Sequence, residues 1–513
     1  QNYWMVIHPP TLFLGFASMI VPFAYALAGL WQKRYTEWIS VALPWALFAV
    51  MVLGAGIIMG SFWAYEALNF GGFWAWDPVE NASLMPWILM VVTLHMLLIS
   101  KARGTYKGLS IFLAISSFVM VLYATFLTRS GVLGDSSVHS FVDLGLNGQL
   151  LIVLFSFIAL PLGLWIYNKV KYKEEKTAQI EEKIHSREFW MLVGSLVLFL
   201  SAIVIIAITS IPVFNKIFGT KIAPPEDPAF AHNQVQIFVA IIIGTLTAIG
   251  QFLKYKTTPL AYFKKQMIWP SIITIIISAV IFVFVGVAYD DKGAGFLVAI
   301  YIAIVTSVFA IVGNISYWSV VLKGKLKSAS SSIGHIGFGL VLAGIFISSA
   351  NKTTLSYNTT GISPLRVDST QKNSPVGDPR ENLTLFETIE TDMGKYNVTY
   401  ERDTFDAIGK RYFELNFKEK KTGETFKLYP DVLKNNKGME GFSANPSSKH
   451  YLHKDIFVYV TSFQDHTEED TTSFKPINIT VGDSIFYSNG YIKLEKVLVN
   501  PNASRPAGTN ELV

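Results

Sequence analysis

The chain has 513 residues, 51% of them hydrophobic and only 15% charged, with a net charge of +5 and no cysteine. Soluble domains carry roughly 25% charged residues, and a mean hydropathy of +0.39 excludes an ordinary water-soluble enzyme. The lack of cysteine excludes disulfides, thiolate metal sites and thiol nucleophiles, so histidine and carboxylate must carry any ligation.

Apolar runs of about 17 to 25 residues predict ten membrane spans, at 10–30, 42–60, 84–100, 108–127, 148–167, 189–209, 235–254, 268–288, 294–316 and 332–350. The runs are continuous and do not alternate as barrel strands must, so helices are the expectation. The pI near 8.9 reflects lysines and arginines placed between apolar stretches and reports topology, not a nucleic-acid partner. Alternate loops hold eighteen of these cations, from Lys33 and Arg34 to Lys323, Lys325 and Lys327; the opposite short loops hold only Arg129, Lys216, Lys221 and Lys292. That bias predicts a cytoplasmic first set, with Phe62 to Ser83, Thr128 to Asn147 and everything from Asn351 onward outside.

The stretch Phe62 to Trp76 holds seven aromatics, Phe62, Trp63, Tyr65, Phe70, Phe73, Trp74 and Trp76, in fifteen residues. An interfacial belt needs one or two rings per helix end. This density predicts instead a platform for a flat, apolar, conjugated ligand, within a segment spanning 62–87. Asp77-Pro78-Val79-Glu80 follows with a capping residue, proline at the first helical position and glutamate at the third, so both carboxylates are expected to start a helix.

His8, before Pro9 and Pro10, and His139, after Arg129, are expected in outer loops beside the platform, where they could supply two axial imidazoles to one haem iron. His95 and His335 fall inside spans, where an ionisable residue is a functional hypothesis. At about 1.5 Å per residue both sit roughly 5 to 8 Å from the cytoplasmic edge, level with each other, as two ligands of an embedded b-type haem would be. Paired hydrogen-bonding histidines are the other reading. His185 is expected to be solvated, and His232, His450, His453 and His466 have no spacing that specifies a metal site.

From Asn351 the composition turns polar, with strand-like pieces at Tyr396 to Tyr400, Tyr412 to Phe417, Phe426 to Tyr429 and Ile456 to Phe463. Asn489-Gly490, between Ser484 to Tyr487 and Tyr491 to Val499, predicts a tight hairpin. The expected architecture is an all-α polytopic membrane bundle over 1–350 followed by a β-rich extracytoplasmic domain over 351–513.

Gly72-Phe73-Trp74-Ala75-Trp76-Asp77-Pro78-Val79-Glu80-Asn81-Ala82-Ser83 resembles the WWD signature of haem-handling proteins. Together with His8-Pro9-Pro10, Leu127-Thr128-Arg129-Ser130-Gly131-Val132-Leu133 leading to His139, His95, and the Gly334-His335 helix start, it resembles the CcmF family of haem lyase subunits. The resemblance covers nearly all of Gln1 to Ala350. It implies a bacterial inner-membrane protein that promotes haem reduction and thioether attachment to apocytochrome c, with the WWD segment and the last domain periplasmic. It implies that His8 and His139 ligate haem delivered by a CcmE-like chaperone, in a cradle including Trp63, Trp74, Trp76 and Asp77. His95 and His335 would ligate a resident haem b, and a CcmH-like subunit and the apocytochrome would be partners. Arg129 is a candidate partner for a propionate of the delivered haem. Complete family members have further spans at both ends, so this sequence is expected to be part of a longer protein. A CcsA-like exporter and synthase, or a haem transporter without covalent chemistry, remain alternatives. An exporter would load from the cytoplasm; a lyase subunit would load its outer site only with the chaperone.

Overall fold

The computed structural model describes residues 3–68, 72–134, 137, 145–171, 183–287, 293–361, 379–434, 442–463, 478–487 and 490–496. The chain divides into two compact units, 1–353 and 354–513.

The first unit is helical: α1 (Tyr3–Ser18), α2 (Ile20–Gln32), α3 (Glu37–Ala67), α4 (Pro78–Arg103), α5 (Lys107–Arg129), α6 (Asn147–Lys171), α7 (Arg187–Thr209), α8 (Ile211–Phe218), α9 (Pro228–Phe252), α10 (Leu260–Phe284), α11 (Ala294–Ser316) and α12 (Ser330–Ser349). Among the described residues ten stretches are long and apolar enough to cross a membrane, with α1 and α2 together forming the first. The protein is a multi-pass membrane protein. The eight-residue α8 is too short to span and follows α7 directly.

Two boundaries differ from the sequence expectation in ways that matter for the site. Helix α3 continues to Ala67, so Phe62, Trp63 and Tyr65 lie in its last turns instead of in a loop. His8 lies within α1, not in a loop before it, and Pro9 and Pro10 are also helical. In both places the helical backbone bonding runs on through the aromatic or proline-containing stretch. At the start of α4 the capping box forms as its sequence predicts. Asp77 accepts from Val79 N at 2.8 Å, and Glu80 Oε2 accepts from Asp77 N at 3.1 Å.

Packing of α1 on α3 is close because small residues meet backbone. A β-carbon on Gly15 would stand 2.6 Å from Leu53 Cα, and one on Gly56 2.7 Å from Leu12 Cα. Helix α4 is central, packed on α3, α5 and α7, and from α7 the contacts run to α9, then α11, then α12. Helices α4 and α12 share no extended interface among the described residues.

The second unit is a β-structure: β1 (Glu390–Met393), β2 (Tyr396–Phe405), β3 (Arg411–Glu419), β4 (Thr425–Leu428), β5 (Asp431–Lys434), β6 (Phe442–Asn445), β7 (Ser447–His450), β8 (Asp455–Val458), β9 (Ser484–Tyr487) and β10 (Gly490–Lys493). Strands run β1-β2-β3-β5-β6 in one antiparallel sheet with β4 also on β3, while β7 pairs with β8 and β9 with β10. Alternation along β2 and β3 sends Val398, Phe413, Leu415 and Phe417 into a core with Phe426, Leu428 and Val432. Tyr487 stands opposite Gly490, the register of a two-residue hairpin connection; Asn489 lies outside the described residues.

Candidate functional site

At the lysine-rich end of the bundle, α4 carries His95 and α12 carries His335, and their rings lie 6.4 Å apart, centre to centre, with planes inclined by 17°. Helices α4 and α12 share no extended interface among the described residues, yet they bring these two rings close together. Two imidazoles bound to one metal ion through bonds of about 2 Å, each nitrogen on the order of 1 Å from its ring centre, would stand roughly 6 Å apart. The spacing fits one iron between them.

The hydrogen bonds of the two rings decide which nitrogen could reach it. His95 Nδ1 faces the Val91 carbonyl at 2.8 Å. A carbonyl only accepts, so the neutral ring carries its proton on Nδ1 and its lone pair on Nε2. His335 Nδ1 meets the side-chain amide nitrogen of Gln251 at 2.8 Å. That nitrogen donates, which places the ring proton on Nε2; ligation through Nε2 calls for the amide turned over, its oxygen accepting from Nδ1–H. Gln251 therefore controls the tautomer of His335.

Gln251 is itself anchored by its position. It sits at the end of α9, where Arg187 Nε donates to the carbonyls of Gly250 at 3.1 Å and Leu253 at 2.8 Å, and another guanidinium nitrogen donates to the Gln251 carbonyl. Those are the carbonyls a helix terminus leaves without intrahelical partners. Beside it Glu188, fully buried, pairs with Arg103 Nε at 3.2 Å and accepts from Lys256 N at 3.0 and 3.1 Å. This carboxylate ties the ends of α4, α7 and α9 together and explains how a buried charge is tolerated there.

At the opposite, aromatic end, His8 Nδ1 faces the Gly56 carbonyl at 2.8 Å, so its neutral ring also holds the lone pair on Nε2. The ring fills the place of a side chain on Gly60: a β-carbon there would stand 2.6 Å from His8 Cε1. Its plane lies within 10° of that of Trp63, with centres 6.4 Å apart. His139, proposed as its partner, lies outside the described residues. The loop leading toward it is bonded to the aromatic segment, since Ser137 Oγ donates to Asp77 Oδ1 at 2.8 Å. Asp77 thus uses its carboxylate on its own helix and on that loop. Arg129 ends α5, half-buried, where a cation suits the helix terminus.

The aromatic segment is only partly an open platform. Phe73 stacks on Tyr65 at 4.2 Å and meets Phe62 edge-on at 5.5 Å, and Trp4 stacks on Phe62 at 5.0 Å. These rings pack on one another, which fixes the segment to the ends of α1 and α3. Trp74 stands edge-on to Trp76 at 5.9 Å, and its indole N–H is buried without a partner among the described residues. His232, passed over in the sequence, is buried in α9 and lies flat on Trp76 at 4.6 Å. The sequence signal that could have found it is Asp227-Pro228, a capping residue and first-turn proline that start the helix seven residues before the apolar run.

Comparison with known proteins finds similar chains among cytochrome c assembly proteins. A family model described as "Cytochrome C assembly protein" matches residues 1–133. "Cytochrome c-type biogenesis protein CcmF" of Pseudomonas fluorescens is 32% identical over 368 residues, covering 68% of this chain and 52% of the relative. The chain is similar to CcmF-type cytochrome c assembly proteins. The protein of the same description from Escherichia coli K12 is 28% identical over 357 residues, with 68% of this chain and 52% of that one covered. A solved structure titled "Cytochrome c Heme Lyase CcmF" superposes with a TM-score of 0.61 at 21% identity, covering 88% of this chain and 65% of that one, a likeness of fold. The chain spans about half the length of the curated CcmF relatives.

Proposed function

We propose that this chain is the haem-handling part of a cytochrome c haem lyase. It receives haem from a periplasmic chaperone at its aromatic end and promotes haem reduction and thioether attachment to apocytochrome c. His95 and His335 hold a resident haem b, and His8 with His139 ligates the delivered haem, with Trp63, Trp74 and Trp76 about it and Arg129 facing a propionate. The aromatic end and the β-rich unit are periplasmic, in line with the cation bias of the loops. The observation that carries the reading is the His95–His335 pair, 6.4 Å between ring centres, on two helices with no extended interface among the described residues.

Bound there, haem b supplies one electron at a time. The protein's own part is positional. The Val91 carbonyl and the Gln251 amide orient the two imidazoles, and the surrounding apolar helices exclude water. At the aromatic end the protein holds the delivered haem while a cysteine S–H of the apocytochrome adds across a vinyl group. The sulfur–carbon bond forms, the S–H bond breaks, and its hydrogen goes to the other vinyl carbon, with no net oxidation.

The test is the visible spectrum and pyridine haemochrome of the detergent-purified chain. A b-type spectrum present in the wild type and lost in both His95→Ala and His335→Ala is expected. A b-type spectrum surviving in either variant overturns the ligand assignment.

A further inference from the structure

Among the described residues of the aromatic segment, Trp76 has a left-handed backbone. Its φ is +57°, a conformation that a bulky residue adopts only when its surroundings over-determine it. Three contacts do so. The His232 ring lies on the indole face, 4.6 Å between centres with planes within 10°. Asn233 Oδ1 accepts the indole N–H at 2.8 Å. Asn81 Nδ2 donates to the Trp76 carbonyl at 3.0 Å and to Thr209 Oγ1 at 3.2 Å.

Two of these contacts come from consecutive residues of α9. Side chains one position apart on a helix diverge by about 100°, so one covers the ring face while the next reaches round to the ring edge. A buried indole N–H takes an acceptor in any setting, but a tryptophan that merely filled space at a helix end would need no imidazole stacked flat on its face. His232 is 1% exposed and its Nδ1 has no partner among the described residues, so burial here satisfies the stack before it satisfies the ring's own hydrogen bonding. What the arrangement secures is the direction of Trp76 and, edge-on beside it, of Trp74.

We propose that His232 and Asn233 are positioning residues of the aromatic haem-binding segment, fixing Trp76 in its left-handed conformation so that the segment keeps the shape that receives delivered haem. They act through Trp76 and not on the iron. The inference rests on the haem-handling reading of that segment, and the experiment separates the two.

Backbone amide exchange over residues 72–77, read by mass spectrometry on the full chain in detergent, reports the hold without any ligand; a haemin titration reports its use. In the His232→Ala, Asn233→Leu double variant, exchange over 72–77 is expected to speed up about tenfold, and haemin affinity at this end to fall about tenfold. The His95–His335 spectrum should be unchanged. The paired variant His232→Phe, Asn233→Asp keeps a flat ring and an acceptor oxygen and should return both readouts to near wild type. Unchanged exchange in the double variant overturns the hold. Faster exchange with wild-type haemin affinity overturns the positioning role. If exchange responds as expected but the wild type binds no haemin at this end, the hold stands and the haem-handling reading of the segment fails.

Discussion

The paired histidines of the membrane unit and the charges of the β-rich unit are held in opposite ways. In the membrane unit His95 is fixed by a single carbonyl and His335 by a single amide, each ring keeping a second nitrogen with no protein partner among the described residues. In the β-rich unit the charges close on each other. Glu414 accepts from Arg402 Nε and Lys427 Nζ, both at 2.7 Å, Lys427 also reaches Glu401 at 2.6 Å, and Lys410 pairs with Asp431 at 2.9 Å. Lipid makes an unsatisfied polar atom expensive, so two close rings each held by one nitrogen suit the ligation proposed for them. Water makes a charge cheap, so a closed network on a sheet points to register and local order.

The comparison breaks first if the units do not stand apart. Phe417 is fully buried and stacks on Phe426 at 5.2 Å. Phe417→Ala should cost about 3–5 kcal/mol in the second unit and abolish its protease resistance, while the spectrum of the haem b proposed for the first unit persists. Loss of that spectrum in the same variant would mean that the units fold as one.

Gly60→Ala comes next in size. In an ordinary helix the change would stabilise by roughly 1 kcal/mol. Here the added carbon meets His8 at 2.6 Å, so the ring must leave its place and its bond to Gly56. Haemin affinity at the aromatic end should fall about tenfold with the embedded haem spectrum intact. Wild-type affinity would show that the His8 seat is packing only.

Gln251→Glu sharpens the account of the inner pair. A carboxylate only accepts, so it locks the proton on His335 Nδ1 and makes the ring a stronger donor to iron. The midpoint potential should drop by about 60 mV, a tenfold preference for the oxidised form. An unchanged potential, by redox titration of the visible spectrum, would remove Gln251 from the site.

How far the sequence carried depends on whether the signal was local. All ten spans were legible because hydrocarbon thickness sets a minimum apolar length, and the nearness of His95 and His335 followed from counting residues along two of them. The β-rich unit was legible from its alternation. The last turns of α3 were not, because the aromatic run Phe62, Trp63 and Tyr65 read as a loop platform, whereas the backbone bonds carry the helix on to Ala67. His232 was missed for a related reason: an apolar count begins α9 at 235, whereas the Asp227 cap begins it at Pro228 and brings the ring under Trp76. Neither Gln251 nor Arg187 carries a sequence mark, since each acts through a contact more than sixty residues away.

The smallest expected effect tests the paired side of the comparison. Lys427 first, and then Arg402, hold the Glu414 carboxyl at about 2, below the ordinary carboxylate value of 4.5. A depressed carboxylate stabilises the folded state fully above its unfolded value, and that stabilisation is lost as pH falls toward the folded one. Glu414→Gln cannot titrate. The difference in melting temperature between wild type and variant, followed by thermal unfolding of the second unit within the full chain, should therefore be constant from neutral pH down to about 5 and close between about 4.5 and 2. The difference should also shrink with added salt, because Arg402 and Lys427 are substantially exposed. A difference that holds through the acid range would mean that Glu414 contributes by shape and hydrogen bonding alone, and that the β-rich unit's charges, like the bundle's histidines, are there for something other than each other.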